Sequence, residues 1–398
     1  MFFREEINQS LTLQFAEAAG RRRAAGLPIV SLGLGEPDFD TPPEFIKAVA
    51  SVLSKGNSRY SSPNGIQGLR DKIAQKLSLE NAIAAEPANI VVCAGAKPAL
   101  SLALMAILEP GDEVVLLSPS FVSFMPQVLL AEPAVTVKNV PVVAGSMSID
   151  LEQLRSAVGP KTRAIIINSP NNPAGFALER NDLSSIYKLA EEFNSYIISD
   201  EVYEKLSFSE SAHVSIGSFE PAVKRVITIN GFSKSHALTG WRLGYACIPA
   251  QLMSRVTKIQ QHMYTNTCTF VQQAVAEAWE YECKHLTDYR DLLKARVDQI
   301  TAWIGSVPKL TYIPPTSGFF AFISIKPLGI SSNEFCSGLL SETGVATTPG
   351  LAFGSSWDDH FRVSYAVSDS DLLKGLEGIA SYVRSLQENT VAIEEKQS

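Results

Sequence analysis

Four short stretches of this sequence carry residue types that could do chemistry together, and each follows a short apolar run. After Arg225–Asn230 comes Gly231-Phe232-Ser233-Lys234, with Arg242 eight residues beyond the lysine. After Tyr196–Ser199 comes Asp200-Glu201-Val202-Tyr203, and after Arg163–Asn168 comes Ser169-Pro170-Asn171-Asn172-Pro173-Ala174-Gly175. After Asn89–Cys93 comes Ala94-Gly95-Ala96-Lys97, which opens an amphipathic stretch. Taken singly, each is ordinary: a good turn, a helix-capping acid, a solvated cation pair, a glycine that eases packing. Taken together they supply an amine that can hold an aldehyde as an imine, an acid that can keep a ring nitrogen protonated, and a carboxamide and phenol for an oxygen anion. They also supply a cation and a glycine turn suited to a phosphate.

The elements around these stretches set where they can meet. The runs Asn89–Cys93, Glu113–Leu117, Val135–Val140, Arg163–Asn168, Tyr196–Ser199, Arg225–Asn230 and Leu243–Ile248 are mostly β-branched and lack alternation, which predicts strands covered on both faces. Helical patterns such as Lys97–Leu108 and Arg180–Phe193 lie between most of them. Repetition of this kind predicts an α/β fold with a mostly parallel seven-stranded sheet, and catalytic residues in such sheets gather at the carboxyl ends of strands. Thr41, Pro42 and Glu44 predict a capped helix start, closed by Gly56. Beyond Ile248 a long helical stretch runs to about Arg296. Strands at Gly318–Ile325 and Phe361–Val367 and helices at Asn333–Thr343 and Asp369–Leu386 then predict a smaller α+β domain. The polar last ten residues are expected to fray. No internal repeat or low-complexity linker interrupts the chain, so the domains are expected to pack closely.

Composition excludes several classes. The 398 residues are 45% hydrophobic and 19% charged, with a formal charge of −7, which is ordinary globular usage. Arg21-Arg22-Arg23 is the nearest thing to a basic run, so nucleic-acid binding is not expected. The five cysteines (Cys93, Cys247, Cys268, Cys283, Cys336) form no C-x-x-C pair, and the histidines show no ligand spacing. Neither a disulfide framework nor a metal site is expected. No apolar run reaches the roughly 18 residues of a membrane span, and the start carries no secretory signal. A cytoplasmic setting is the expectation.

The chemical set described above is the one pyridoxal 5′-phosphate requires. The sequence resembles a fold-type-I pyridoxal-phosphate enzyme, specifically the class I/II aminotransferase family that includes aspartate aminotransferases. The likeness runs from Gly33-Leu34-Gly35-Glu36-Pro37-Asp38 to Phe361-Arg362-Val363-Ser364-Tyr365-Ala366. Its most specific part joins Ser233-Lys234, Arg242 and Gly244 to Asn172-Pro173 with Gly175 and to Asp200 with Tyr203.

The resemblance implies a large cofactor domain at 41–280 and a small domain built from both termini, 1–40 and 281–398. It implies transfer of an α-amino group from an L-amino acid to a 2-oxo acid by a ping-pong route, with aspartate-type or broad specificity. Carried over residue by residue, Lys234 is the Schiff-base lysine and general base. Asp200 pairs with the pyridine nitrogen, and Tyr203 and Asn172 donate to the phenolic oxygen. Arg242, Ser233 and the amides of Ala96 and Lys97 hold the phosphate. Arg362 forks onto the substrate α-carboxylate, with Gly35 and Asn172 beside it. Phe121 stands where many relatives stack a tryptophan on the cofactor, and Gly231 where many have a serine. Lys97 also matches a lysine that some bacterial relatives use for a distal carboxylate. Phe15, Leu34, Tyr264, Asn266 and Phe353 are further pocket candidates. Tyr60 matches a tyrosine lent by a neighbouring subunit, which implies a homodimer. The competing readings are a lyase or oxidase on the same fold and a non-catalytic regulator. Tyr203, where related lyases often carry histidine, favours transamination.

Overall fold

The computed structural model describes residues 7, 9–56, 58–209, 212–281 and 285–397, the side chains of 281 and 389–397 excepted; Cys283 lies outside the described residues. After a short β1 (Val30–Ser31), the seven apolar runs become one sheet: β2 (Ile90–Cys93), β3 (Glu113–Ser118), β4 (Thr136–Pro141), β5 (Thr162–Asn168), β6 (Tyr196–Asp200), β7 (Val226–Gly231) and β8 (Gly244–Cys247). Their spatial order is β2-β8-β7-β6-β5-β3-β4. Strands β3 to β7 pair in parallel, while β8 runs antiparallel to both neighbours.

The unbroken apolar runs follow from burial on both faces. Alternate residues of a strand point to opposite sides. Ile166, Ile198, Ile227 and Ile229 therefore enter one core, and Ile165, Ile167, Ile197 and Val226 enter another. Helices α1 (Leu11–Ala24), α2 (Pro43–Ser54) and α3 (Gln67–Asn81) precede β2. Between later strands lie α4 (Ala96–Ile107), α5 (Phe124–Ala131), α6 (Leu151–Ala157) and α7 (Arg180–Glu192). Leu100, Leu104 and Ile107 of α4 cover the first core, and Leu183, Ile186 and Leu189 of α7 the second.

Two local expectations are corrected. Thr41 does not cap α2: its hydroxyl donates to the Ala237 carbonyl at 2.9 Å, and the helix starts on Pro43, whose missing N–H needs no cap. The stretch after Ile248 is not continuous but forms α8 (Ala250–Met263), α9 (Thr269–Glu277) and α10 (Leu286–Ile304). It breaks where Thr265 takes a left-handed backbone (φ 66°) after Tyr264.

A second layer contains β9 (Thr311–Tyr312), β10 (Phe320–Ser324), α11 (Ser332–Thr343), β11 (Val345–Ala346), β12 (Thr348–Pro349), β13 (His360–Ser364) and α12 (Asp369–Gln397). The backbone of α12 is helical from Asp369 to Gln397, through a run rich in strong helix formers. The sheet order here is β12-β13-β10-β9, and β1 pairs in parallel with β11, Val30 against Val345. Leu32 joins a core with Phe319, Phe335, Leu339, Phe361 and Leu376. This pairing brings the segment after β1 to the carboxyl ends of β5 to β7.

Ile198 is fully buried in the sheet centre, so Ile198→Ala should cost about 2–5 kcal/mol through lost transfer energy and the cavity left behind. Denaturant titration would measure it, and a loss below about 1 kcal/mol would contradict the two-face burial of β6.

Candidate active site

A cavity of about 420 Å³ opens where the ends of β5, β6 and β7 meet the start of α4, the segment after β1 and the β13 strand. Its walls include Gly35, Ala96, Lys97, Phe121, Asn172, Asp200, Tyr203, Ser233, Lys234, Arg242 and Arg362, so the structure gathers these site residues foreseen from sequence. Tyr60 is not among them; it stands 87% exposed. Of the further pocket candidates only Leu34 lines the cavity. Phe15 packs on the core around Leu32, Phe353 is buried, and Tyr264 and Asn266 stand elsewhere, the latter bonded to Ser61.

Each side chain is aimed by its local backbone. Lys234 follows β7 by three residues, and its Nζ donates to the Gly35 carbonyl at 2.5 Å. Asp200 ends β6 and accepts from the Val202 amide at 3.3 Å. Asn172 Nδ2 donates to the Tyr203 hydroxyl at 3.4 Å. Arg362 Nη1 donates to Asn172 Oδ1 at 2.9 Å, and Nη2 to the Gly33 carbonyl at 2.7 Å. Arg242 takes a left-handed backbone (φ 52°) and donates to the carbonyls of Thr239 and Ala94. Gly95 (φ 105°) turns the chain into α4, and a Cβ there would stand 2.7 Å from Arg242 Nη2.

Burial dominates the electrostatics. It pulls the Lys234 amine down to about 8, against the nearby Glu36 carboxylate and together with Arg362 and Arg242. It pushes the Asp200 carboxyl up to about 7, opposed by the Val202 amide and Lys234. It lowers Arg362 to about 10 and raises the Tyr203 phenol, which Arg362 pulls back. Lys97 is also lowered, by burial and then by Arg242.

Pyridoxal 5′-phosphate fits these residues. The close approach of Arg242 to Gly95 builds a cradle for a dianion beside the N-terminus of α4. Phe121 offers a flat apolar wall, and the Nε of buried Arg362 has no partner. A cavity of this volume suits a ring with a phosphate tail.

Sequence reasoning missed several participants. Asn168 holds the wall together: its Nδ2 donates to the Asp200 carbonyl at 2.9 Å and its Oδ1 accepts from the Asn172 amide at 2.8 Å. An asparagine at a buried strand end, just before Ser169-Pro170, was the available signal. Glu36 also lines the cavity, and its place in Gly35-Glu36-Pro37-Asp38 marked it. Thr12, Gln127 and Thr239 complete the walls without any local signal.

The chain matches the family described as aminotransferase class I and II over residues 28–379. It is 33% identical to an aspartate aminotransferase of Geobacillus stearothermophilus over 95% of this chain and 97% of that protein. It is 36% identical to aromatic-amino-acid aminotransferase 2 of Thermococcus litoralis, over 88% of this chain and 90% of that one. The solved structure of a Thermus thermophilus aspartate aminotransferase with maleate superposes with a TM-score of 0.90 at 33% identity, covering 96% of this chain and 100% of that chain.

A Cβ at Gly244 would stand 2.7 Å from the Ala96 nitrogen and the Gly95 carbonyl carbon, both backbone atoms that cannot rotate away. Gly244→Ala should therefore displace the phosphate cradle and weaken pyridoxal-phosphate binding about tenfold or more, the value of one charge-assisted hydrogen bond. Equilibrium dialysis of the apoprotein would measure it; an unchanged dissociation constant would mean that β8 does not set the cradle.

Proposed function

The chain belongs to the class I and II aminotransferases, and from that premise we propose roles for its residues and a substrate class. It is a pyridoxal-phosphate-dependent enzyme that moves an α-amino group from an L-amino acid to a 2-oxo acid. When bound, the cofactor supplies the aldehyde that takes up the amino group and a ring that withdraws electron density. The observation that carries the assignment of roles is the convergence of Lys234, Asp200 and Arg362 on one cavity.

Lys234 is the nucleophilic amine and the proton carrier. Its lowered pKa leaves a neutral fraction near physiological pH that an exposed lysine lacks, and the neutral amine both bonds an aldehyde and accepts a proton. Asp200 pairs with a cationic ring nitrogen, which would restore the ionised carboxylate that burial disfavours. Tyr203 and Asn172 donate to an oxygen anion, and Arg242, Ser233 and the Ala96 and Lys97 amides hold the phosphate. Arg362, with Gly35 and Asn172 beside it, grips the α-carboxylate as a two-pronged donor that lysine imitates poorly.

For the side chain, the reading is an aspartate-type donor, with broader acceptance of apolar donors. Lys97 supports it: beside Lys234, Arg242 and Arg362 this fourth cation lines the cavity, its Nζ 5.3 Å from the centre of the Phe121 ring, where a distal carboxylate would meet an ammonium. Leu13, Leu34, Leu100 and Phe124 of the walls suit apolar groups.

The working unit is a homodimer with Tyr60 lent to the partner's phosphate. Supporting it are the 87% exposure of Tyr60 and the exposed Leu13 and Leu34 at the cavity mouth, an apolar rim that a second copy would cover.

Lys234→Ala should abolish the reducible visible absorbance of the holoenzyme while the fold persists; a variant still trapped covalently by borohydride would sink the lysine's role. Arg362→Lys should weaken every α-amino donor, whereas Lys97→Met should raise KM about 10- to 100-fold for dicarboxylic donors and leave apolar donors within a few-fold. Single-turnover absorbance with a donor panel separates the two. An equal loss across donors for Lys97→Met would remove the distal-carboxylate role.

A further inference from the structure

Behind the wall that carries Asp200 and Tyr203 lies a buried group of charged side chains, none of which lines the cavity. Glu201 is 1% exposed and Lys76 5%. Glu201 Oε1 accepts from the Ser199 hydroxyl at 2.9 Å, and its Oε2 accepts from Ser215 Oγ and stands 3.1 Å from His213 Nε2. Glu204 is bonded by Lys76 Nζ and accepts from Asn81 Nδ2 at 2.5 Å. One side-chain oxygen each of Glu201 and Glu204 and a ring nitrogen of His213 lie within 4.8 Å of one another. Among the described residues, the groups facing His213 are Glu201 after β6, Glu204 from the next turn and Lys76 from α3. Those facing Asp200 are Glu201, Tyr203 and Lys234.

Among the described residues, two carboxylates, Glu201 and Glu204, stand here with one ammonium, Lys76, which bonds Glu204. A neutral His213 leaves one negative charge unmatched in a site with little water, and an imidazolium matches it. Accepting bonds from Ser199, Ser215 and His213 fix the Glu201 carboxylate, so it cannot swing out to solvent when the balance fails. Its next neighbour along the backbone is Asp200, whose charge is the one the cavity needs.

We propose that His213 and Glu201 are positioning residues for the reaction: protonated His213 neutralises Glu201, and this balance sets the negative field that Asp200 and Lys234 experience in the cavity. The proposal rests on the reading that Asp200 faces the cofactor ring. Two further features agree with it. Burial lowers His213, but the bond and charge of Glu201, helped by Glu204, outweigh it and shift the imidazole above its ordinary value, toward the imidazolium. The Glu201 charge also pushes Asp200 upward, the direction that an unbalanced cluster would strengthen.

The test is a pH titration of the visible absorbance of the holoenzyme, whose midpoint reports the charge felt at Lys234. His213→Gln removes a positive charge and should raise the midpoint by about one pH unit; Glu201→Gln removes a negative charge and should lower it by a similar amount. The double variant should return to within a few tenths of a unit of the parent. Mere loosening of the wall would move both single variants the same way, and that result, or two unmoved midpoints, overturns the proposal. Should His213→Gln fail to fold, His213→Asn takes its place in the same comparison, and opposite shifts of the two single variants are again required. Asp200→Asn separates the two layers of argument. A midpoint it leaves unmoved defeats the reading of Asp200 itself; one that falls, while the cluster variants stay put, defeats only the role of the cluster.

Discussion

Arg362 is a guanidinium buried to 4% exposure with no carboxylate on it among the described residues. Its partners are the Asn172 carboxamide, the Gly33 carbonyl and the Thr348 hydroxyl, and its Nε has none. Burying a cation without an anion costs several kcal/mol, which is why its pKa falls toward 10. Neutral acceptors recover part of that cost, and the faces of Phe320 and Phe353, 4.2 and 5.1 Å from the guanidinium carbon, recover a little more. The residue keeps unused hydrogen-bonding capacity, and the fold must be stable enough elsewhere to carry the imbalance.

That stability comes from the two-sided cores. Ile165 to Ile167 and Ile197 to Ile198 are at most 1% exposed, and they end in polar residues at the carboxyl edge of the sheet. The strands thus do two jobs with one direction of travel: their bodies supply apolar burial, and their last residues supply Asn168, Asp200 and, just past β7, Lys234. The chain's charge of −7 then makes sense, because cations matter only where the walls exclude water.

Much of this was readable in the sequence because the signals were local. Unbroken β-branched runs marked the strands, and residue types placed at strand ends marked the cavity wall. What failed was what depends on distant partners. Thr41 looked like a cap because its spacing to Glu44 was right, yet Ala237, nearly two hundred residues away, takes its hydroxyl. Asn168 looked like the end of a strand; its bonds to both Asp200 and Asn172 exist only once β5 and β6 pair. The Lys76–Glu204 pair joins α3 to the turn after β6, and nothing in either segment announced the other. The break at Thr265 was hidden for a different reason: a left-handed threonine leaves no glycine in the sequence to mark it.

The loop after β5 ties these parts into one register. Asn168 fixes the Asn172 backbone to the large sheet, and Asn172 Oδ1 takes Arg362 from β13. Three residues on, the Gly175 carbonyl accepts from the amides of Thr316 and Ser317 and from the Ser317 hydroxyl, all at 3.0 Å. Gly175 (φ 67°) has no room for a side chain, since a Cβ would stand 2.4 Å from Pro315 Cβ and 2.8 Å from the Ser317 carbonyl oxygen. The turn must therefore be glycine, and its contacts leave the 315–317 segment little freedom to slide over the large sheet. A substrate that bonds Arg362 is for this reason placed with respect to Asp200 and Lys234 through one short chain of carboxamides and carbonyls. That coupling lets a site assembled from distant segments hold the geometry that proton transfer at a single carbon demands.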